Sequence, residues 1–429
     1  MRFIGESMKL EIRTFLIAVI VLNAVCIALA NQDLSDANNL VSLEDYLRFS
    51  EQNSASLKAA FEQWKAAEEQ IPQAQSLPDP QLSYGYATES TPQRSMFEVM
   101  QMFPWFGTIE ARTDAASAMA KSADKQYETK KLAVFYEVKQ AFYEYSFLAS
   151  AIGITNDNLQ LMRHFEEVAR TKYAVSTTGQ PDVIRAQVEL ATMQNDLVSW
   201  EKSRPAITAR LNSLLNRPAE SELPWPNSPP YKEIPIAYKQ VQELIMRNNP
   251  ELQSAAFDIE AAKNNEKLAK KKFYPEFGVG VAIDAGMGNN MESRTMPKIQ
   301  LTLPIWRDNY KAAERQAHSQ LIQAMQQKLQ TENNLASRAQ QVLYELQDSD
   351  RKIRLYRDTI IPKVKEMIAT SETAYQAGSL DFLSLIDSQR TLIRYQLEYE
   401  RAVADNGQKL AELEMLVGTQ ISNVDTAGK

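Results

Sequence analysis

The sequence predicts a mainly α-helical chain with a small β part, built by tandem duplication of a helix, β-hairpin, helix unit. Three observations carry this. The 429 residues include only 13 glycines, against an average usage near 7%, so tight turns are few and elements long. Two stretches of about 65 residues contain almost nothing that stops a helix. The apolar period drops from 3.6 to 2 in two places, and those places correspond when the numbering is shifted by 195.

Ser42-Leu43-Glu44-Asp45 reads as a capping box opening a helix over 43–76, rich in Ala, Glu, Gln and Lys. Leu77-Pro78-Asp79-Pro80 ends it, because a residue before proline is pushed out of the α region. Strands follow over 81–90 and 95–103. In the first, Leu82, Tyr84 and Tyr86 alternate with small residues; in the second, Phe97, Val99, Gln101 and Phe103 alternate with Met96, Glu98, Met100 and Met102. A turn at Ser90-Thr91-Pro92-Gln93 joins them. Pro104 has no amide proton for a sheet ladder and suits a strand exit. A helix then runs over 108–175, and at 1.5 Å per residue it is about 100 Å long. Ser176-Thr177-Thr178-Gly179-Gln180-Pro181 forms a turn, and a helix over 181–215 carries an expected kink at Pro205.

After a proline-rich connector at 217–235 the pattern repeats. Residues 52–86 lie on 247–281 without a gap, placing Asn53 on Asn248, Leu57 on Leu252, Pro80 on Pro275 and Gly85 on Gly280. The predicted elements are a helix at 237–272, strands at 276–286 and 295–303 ending at Pro304, a long helix at 308–377 and a helix at 381–417. Leu346, Ile353, Ile360 and Met367 recur in coiled-coil fashion, and Pro362 predicts a kink near Ile361. The turns correspond too, Tyr173 standing to Gln187 as Tyr375 stands to Gln389. The repeats occupy 31–216 and 236–418, with a tail at 419–429.

Ahead of the first repeat, Arg2, Lys9 and Arg13 precede an apolar run from Phe15 to Ala30 that ends in Ala28-Leu29-Ala30. This is the layout of a secretory signal peptide over 1–30, with Met1 or Met8 as the start. About 16 apolar residues fall short of the roughly 20 that a spanning helix needs. Cys26, the only cysteine, lies in this leader, either removed with it or as a lipidation point. A cysteine-free mature chain excludes thiol catalysis and zinc-thiolate sites. A net charge of −7 without clustered Lys and Arg excludes a nucleic-acid surface. No nucleophile-base pair, metal-ligand spacing or phosphate-binding glycine loop is present, so neither an enzyme nor a cofactor is expected. His164 and His318, without neighbouring ligands, read as solvated or packed.

Strands of about ten residues are long enough to cross a bilayer when tilted. Four cannot close a barrel, and an open edge in lipid leaves backbone groups unpaired at several kcal/mol each. Membrane insertion therefore forces oligomerisation. The leader, the duplicated unit, the Leu77-Pro78-Asp79-Pro80 approach and the Tyr375 to Gln389 turn resemble the TolC-like outer-membrane factors over nearly the whole mature chain. Gln101-Met102-Phe103-Pro104-Trp105-Phe106-Gly107 is similar, more narrowly, to the CusC- and CzcC-like heavy-metal branch.

The resemblance implies a homotrimer whose strands form a twelve-stranded outer-membrane barrel, continuous with a long periplasmic tunnel of helices in a Gram-negative bacterium. Its partners would be outer-membrane lipid, a periplasmic adaptor and an inner-membrane pump of the RND type. The implied function is a passive exit duct for heavy-metal cations, with drug efflux or type I protein secretion as the alternative. A periplasmic adaptor also has long helical hairpins, but lacks two membrane-length β-hairpins in a duplicated frame.

By the same resemblance Tyr375 matches a tip tyrosine that ties neighbouring helices, with Tyr173 its counterpart in the first repeat. Asp387 matches one of two acids that constrict the tunnel. Ser384 stands where some members carry the other acid, and Leu380 where an arginine link is found, so a less charged constriction is expected. Pro104, Trp105 and Gly107, with Pro304 and Trp306, mark the strand-to-helix junctions, where the tryptophans suit a membrane-interface girdle or local packing. Glu98 is expected to face the lumen, and Phe97 and Val99 the lipid. Met96, Met100, Met102, Met287, Met291 and Met296 serve packing or, as thioethers, soft-metal contact.

Overall fold

The computed structural model describes residues 40–87, 94–227, 230–286 and 293–421. The leader with Cys26 and both candidate starts, the turn at Ser90–Gln93, Met287, Met291 and most of the tail lie outside the described residues. The elements are α1 Leu43–Asn53, α2 Ala55–Glu68, α3 Gln70–Gln75, β1 Gln81–Ala87, β2 Arg94–Phe103, α4 Thr108–Ala174 and α5 Gln180–Leu214, then α6 Tyr238–Asn248, α7 Pro250–Lys271, β3 Glu276–Gly286, β4 Arg294–Thr302, α8 Arg307–Leu355, a π-helical turn Tyr356–Ile360, α9 Ile361–Gln376 and α10 Phe382–Val417.

Ser42 does form a capping box, accepting from the Asp45 amide while the Asp45 carboxylate accepts from the Ser42 amide at 3.1 Å. The helix expected over 43–76 is instead three helices. Ser54 steps out to ψ 118 and divides α1 from α2. Its counterpart Asn249 does the same at ψ 120, so 237–272 is also divided. In the second repeat the cause is plain: Pro250 has no amide to donate and is tolerated only in a first turn, and the Asn249 side chain caps the new helix through the Leu252 amide at 3.0 Å. Near the end of the first segment Pro72 lies inside α3 and cannot donate back to Glu68, which accounts for the break at Glu69. The helix α5 continues through Pro205 without a break.

The seven-residue spacing fails beyond Ile353. Leu346 and Ile353 are buried, but Met367 is exposed and Val364, Ile368 and Tyr375 are buried instead. The π-helical turn lies between, just before Pro362. A π-turn adds about one residue to a helical turn, rotating the downstream helix by roughly 100°, so Met367 leaves the packed face and Ile368 enters it.

The chain divides into two compact units. Among the described residues, one contains residues 40–54, Val134–Pro235 and Val342–Glu412. Its core includes Leu159, Met162, Phe165, Ala186, Met193, Ile368, Phe382, Leu385 and Leu392, drawn from α4, α5, α9 and α10. The connector packs within it: the Tyr145 hydroxyl donates to the Leu223 carbonyl at 3.0 Å, and Arg204 lies 4.1 Å from the Trp225 ring. The other unit contains Ala55–Ala133, Ile236–Gln341 and the chain from Leu413 on.

The second unit holds one antiparallel sheet of order β1-β2-β3-β4. Leu82 pairs with Val99 and Tyr84 with Phe97; Phe97 pairs with Ile283 and Val99 with Val281; Val279 pairs with Ile299 and Phe277 with Leu301. Because strand side chains alternate, these residues share one face, and Leu82, Tyr84, Phe97, Val99, Val279, Ile283, Ile299 and Leu301 are all exposed on it. Among the described residues β1 and β4 each have a single strand neighbour.

Candidate functional site

The expected tip residues all lie in the first unit, around two helical turns of the same construction. At the end of α4 the Ser176 amide donates to Tyr173 and the Thr177 amide to Lys172, both at 2.9 Å. At the end of α9 the Gly378 amide donates to Tyr375 at 3.0 Å and the Ser379 amide to Ala374 at 2.9 Å. Each turn reverses through one left-handed residue, Ser176 at φ 60 and Gly378 at φ 76. This paired bonding satisfies carbonyls that a helix end leaves open.

Tyr375 is 3% exposed. Its ring packs on Phe382 at 5.1 Å between centroids. Burial raises the pKa of its hydroxyl, and the nearby Asp182 carboxylate acts in the same sense. The hydroxyl is turned toward Thr178 and Asp182, which are hydrogen-bonded to each other, but completes no hydrogen bond itself. Lys172 reaches across from α4, its ammonium 4.7 Å from the centre of the Tyr375 ring, donating to the carbonyls of Tyr375 and Gln376. A cation on the last carbonyls of α9 also complements that helix's dipole. Tyr173, by contrast, is 46% exposed.

Around this tie lie two further links between the hairpins. Arg390 grips the buried Glu189 with two hydrogen bonds of 3.0 and 2.6 Å, and the carboxylate holds the guanidinium pKa up. His164 meets Glu372 at 2.8 Å. The other histidine, His318, lies 3.4 Å from Glu266 in the second unit. Asp387 is exposed and 3.7 Å from Arg390 of its own helix. The Ser384 amide donates to Asp381 at 3.2 Å, which caps α10, and the hydrogen bonds from Ser384 hold the Asp381 pKa down. Leu380 is half-buried.

The sequence alone assigns no such contact to Lys172, Thr178, Asp182, Glu189 or Arg390. A lysine in the last turn of α4 and an aspartate in the first turn of α5 were the available signals, but such charges occur at most helix ends. Asp182 stands in the first turn where Ser384 stands in the second, so the first turn carries an acid at a step where the second has none.

The two strand exits, in the second unit, are unlike each other. After β2, Pro104 and Trp105 are half-buried, and Trp105 stacks on Tyr274 at 5.2 Å and 10°. Phe106 meets Trp105 edge-on at 5.7 Å, and Phe103 stacks on Phe277 at 5.5 Å. Gly107 turns the chain at φ 74, where a Cβ would lie 3.3 Å from the Lys271 ammonium. After β4, Pro304 is half-buried but Trp306 is 80% exposed. On the sheet, Glu98 lies on the face opposite Phe97 and Val99, paired with Lys298 at 2.6 Å.

Among the described residues no cluster of three or more His, Cys, Asp or Glu could hold a metal ion. No helix among them is long and apolar enough to cross a membrane.

Known proteins share this fold. The sequence profile described as outer membrane efflux protein matches residues 47–217 and 241–419. Nodulation protein T of Rhizobium leguminosarum bv. trifolii is 22% identical over 342 residues, 75% of this chain and 71% of that one. The cobalt-zinc-cadmium resistance protein CzcC of Cupriavidus metallidurans is 20% identical over 395 residues, 89% of this chain and 91% of that one. Crystal structures of CusC, which concern its folding and transmembrane channel formation, superpose with a TM-score of 0.73 at 13% identity, covering 88% of this chain and 92% of that one. With the profile matched in both halves, the chain belongs to the outer membrane efflux protein family, whose place is the outer membrane.

Proposed function

We propose that this chain is the exit duct of a tripartite efflux system, a homotrimer that conducts substrate passively while an RND-type inner-membrane pump supplies the energy and a periplasmic adaptor joins the two. The observation that carries it is the four-stranded sheet. Its exposed apolar face would forgo about 1.5–3 kcal/mol for each large side chain left in water, and a patch of that extent marks a membrane or a partner. Its two outer strands present unpaired backbone groups that lipid does not tolerate. Three copies joined edge to edge, β1 of one to β4 of the next, would satisfy both demands in a twelve-stranded barrel. The helical turns then form the gate: Lys172 on Tyr375 and Gln376, and Arg390 on Glu189, hold the hairpins of one chain together, and Asp387 and Asp381 add charge at the constriction. The family consists of ducts rather than enzymes.

Heavy-metal cations are the substrate we favour, on the strength of the Phe103-Pro104-Trp105-Phe106-Gly107 motif and a metal-resistance relative that aligns over nearly its whole length. Drug efflux or type I protein secretion through the same duct is the second reading, supported by a toxin and drug export protein that aligns over 44% of this chain. Purified protein should conduct ions across planar bilayers as an oligomer, and a stable detergent-free monomer would overturn the duct. Deletion should sensitise cells to copper, silver, zinc, cobalt or cadmium; sensitivity to drugs alone would remove the metal assignment.

A further inference from the structure

The face of the sheet opposite the apolar one has its own chemistry. Met100 of β2 stands beside Gly280 of β3, and Met102 beside Gly278; beyond the glycines lie Lys298 and Gln300 of β4. A Cβ on Gly278 would lie 2.6 Å from the Met102 sulfur and 3.0 Å from the Met100 sulfur, and one on Gly280 would lie 2.9 Å from the Met100 sulfur. Both thioethers therefore turn toward one spot above β3, a spot that exists because two side chains are missing there. Met100 is only 4% exposed.

Glycine inside a strand weakens it and often marks a place that another group approaches closely; here the groups that approach are the Val99 carbonyl oxygen, 2.5 Å from a Cβ on Gly280, and the two thioethers. On the other face the same strand carries Val279, Val281 and Ile283, so β3 is not short of strand-forming residues. Lys298, beside Gly280, pairs at 2.6 Å with Glu98 one row along, which leaves the surroundings locally neutral.

We propose that Met100 and Met102 form a two-thioether site for a soft monovalent cation, Cu(I) or Ag(I). Thioethers are soft donors that select Cu(I), whereas carboxylates suit hard ions. The sulfurs are already adjacent, and unbranched methionine side chains adjust easily around an ion. Two neutral donors hold a cation loosely, and loose binding is what a passage requires, since the ion must leave as readily as it enters. The site rests on the duct reading in one respect, that this face meets the lumen.

The test uses the full-length protein in detergent, labelled with 13C in its methionine methyl groups and titrated with Ag(I). Met100→Leu and Met102→Leu, substitutions of similar volume, assign the two resonances. Ag(I) is expected to move both together at lower concentration than any other methionine, with Zn(II) leaving them in place, and the double variant is expected to bind Ag(I) at least about tenfold more weakly. No movement, or equal movement across all methionines, overturns the site, and the titration of the unsubstituted protein decides this even if a variant does not fold. Bilayer conductance of the same preparation reports on the duct separately, so failure of one reading is distinguishable from failure of the other.

Discussion

At Tyr173–Gly179 and at Tyr375–Asp381 the chain leaves a long helix through the same pair of backbone hydrogen bonds and one left-handed residue. The side chains on those two matching frames do different things. The second turn buries its tyrosine, while the first leaves its own half exposed. The first turn sends out Lys172 and offers Thr178 and Asp182; the second supplies an aromatic ring and the helix-end carbonyls of Tyr375 and Gln376. Repetition has kept the geometry of reversal and let the contacts become complementary.

That asymmetry can be broken at three places. The largest effect is expected at the tyrosines: Tyr375→Ala should cost about 3–5 kcal/mol, as for other buried aromatic truncations, whereas Tyr173→Ala should fall within about 0.5 kcal/mol. Thermal unfolding of the two purified variants checks this, and equal losses would mean that the turns are not differentiated. Next comes Lys172→Ala, which removes charged hydrogen bonds worth about 1.5 kcal/mol at a half-exposed site. Its sharper readout is bilayer conductance, expected to rise as the hairpins part, while Lys172→Arg should retain the conductance of the unsubstituted protein.

The smallest effect concerns the backbone. Gly378→Ala should destabilise by about 1 kcal/mol or less, the cost of a Cβ in the left-handed region offset in part by the lower entropy of the unfolded chain. Ser176→Gly should stabilise slightly, since it relieves the same strain at the matching position. Opposite shifts in melting temperature would show that the two turns share one backbone demand; shifts of the same sign would show that they do not.

Much of this architecture was legible because helix-stopping residues are so sparse that each one speaks. Pro104 and Pro304 mark the strand exits, the alternation at Phe97 and Val99 gives the sheet its faces, and Pro362 marks an irregularity in the long helix. The breaks at Ser54 and Asn249 were missed for different reasons. Asn249-Pro250 is a cap followed by a first-turn proline and was readable as such. Ser54 has no proline after it, and only its correspondence with Asn249 points to it.

The tie itself was half legible. Tyr375 was singled out by resemblance, but nothing local distinguishes it from Tyr173, because the difference is made by what packs against each ring. Lys172 was hidden for the same reason, being an ordinary lysine until a second helix end lies within its reach. The exposure of Met367 was misread through an assumption, that a helical spacing persists across an irregular turn.

That turn has a consequence for the chain's tolerance of insertions and deletions. A residue lost from an ordinary stretch of α9 would swing Tyr375 away from Lys172 by roughly a quarter of a circle. The turn at Tyr356–Ile360 has already absorbed one such step, and the seat of Tyr375 depends on it. Relatives in which that step is resolved at a different point along the helix would need their contact residues moved by one position, so alignments of this segment that forbid a single-residue gap would match the wrong side chains between the two turns.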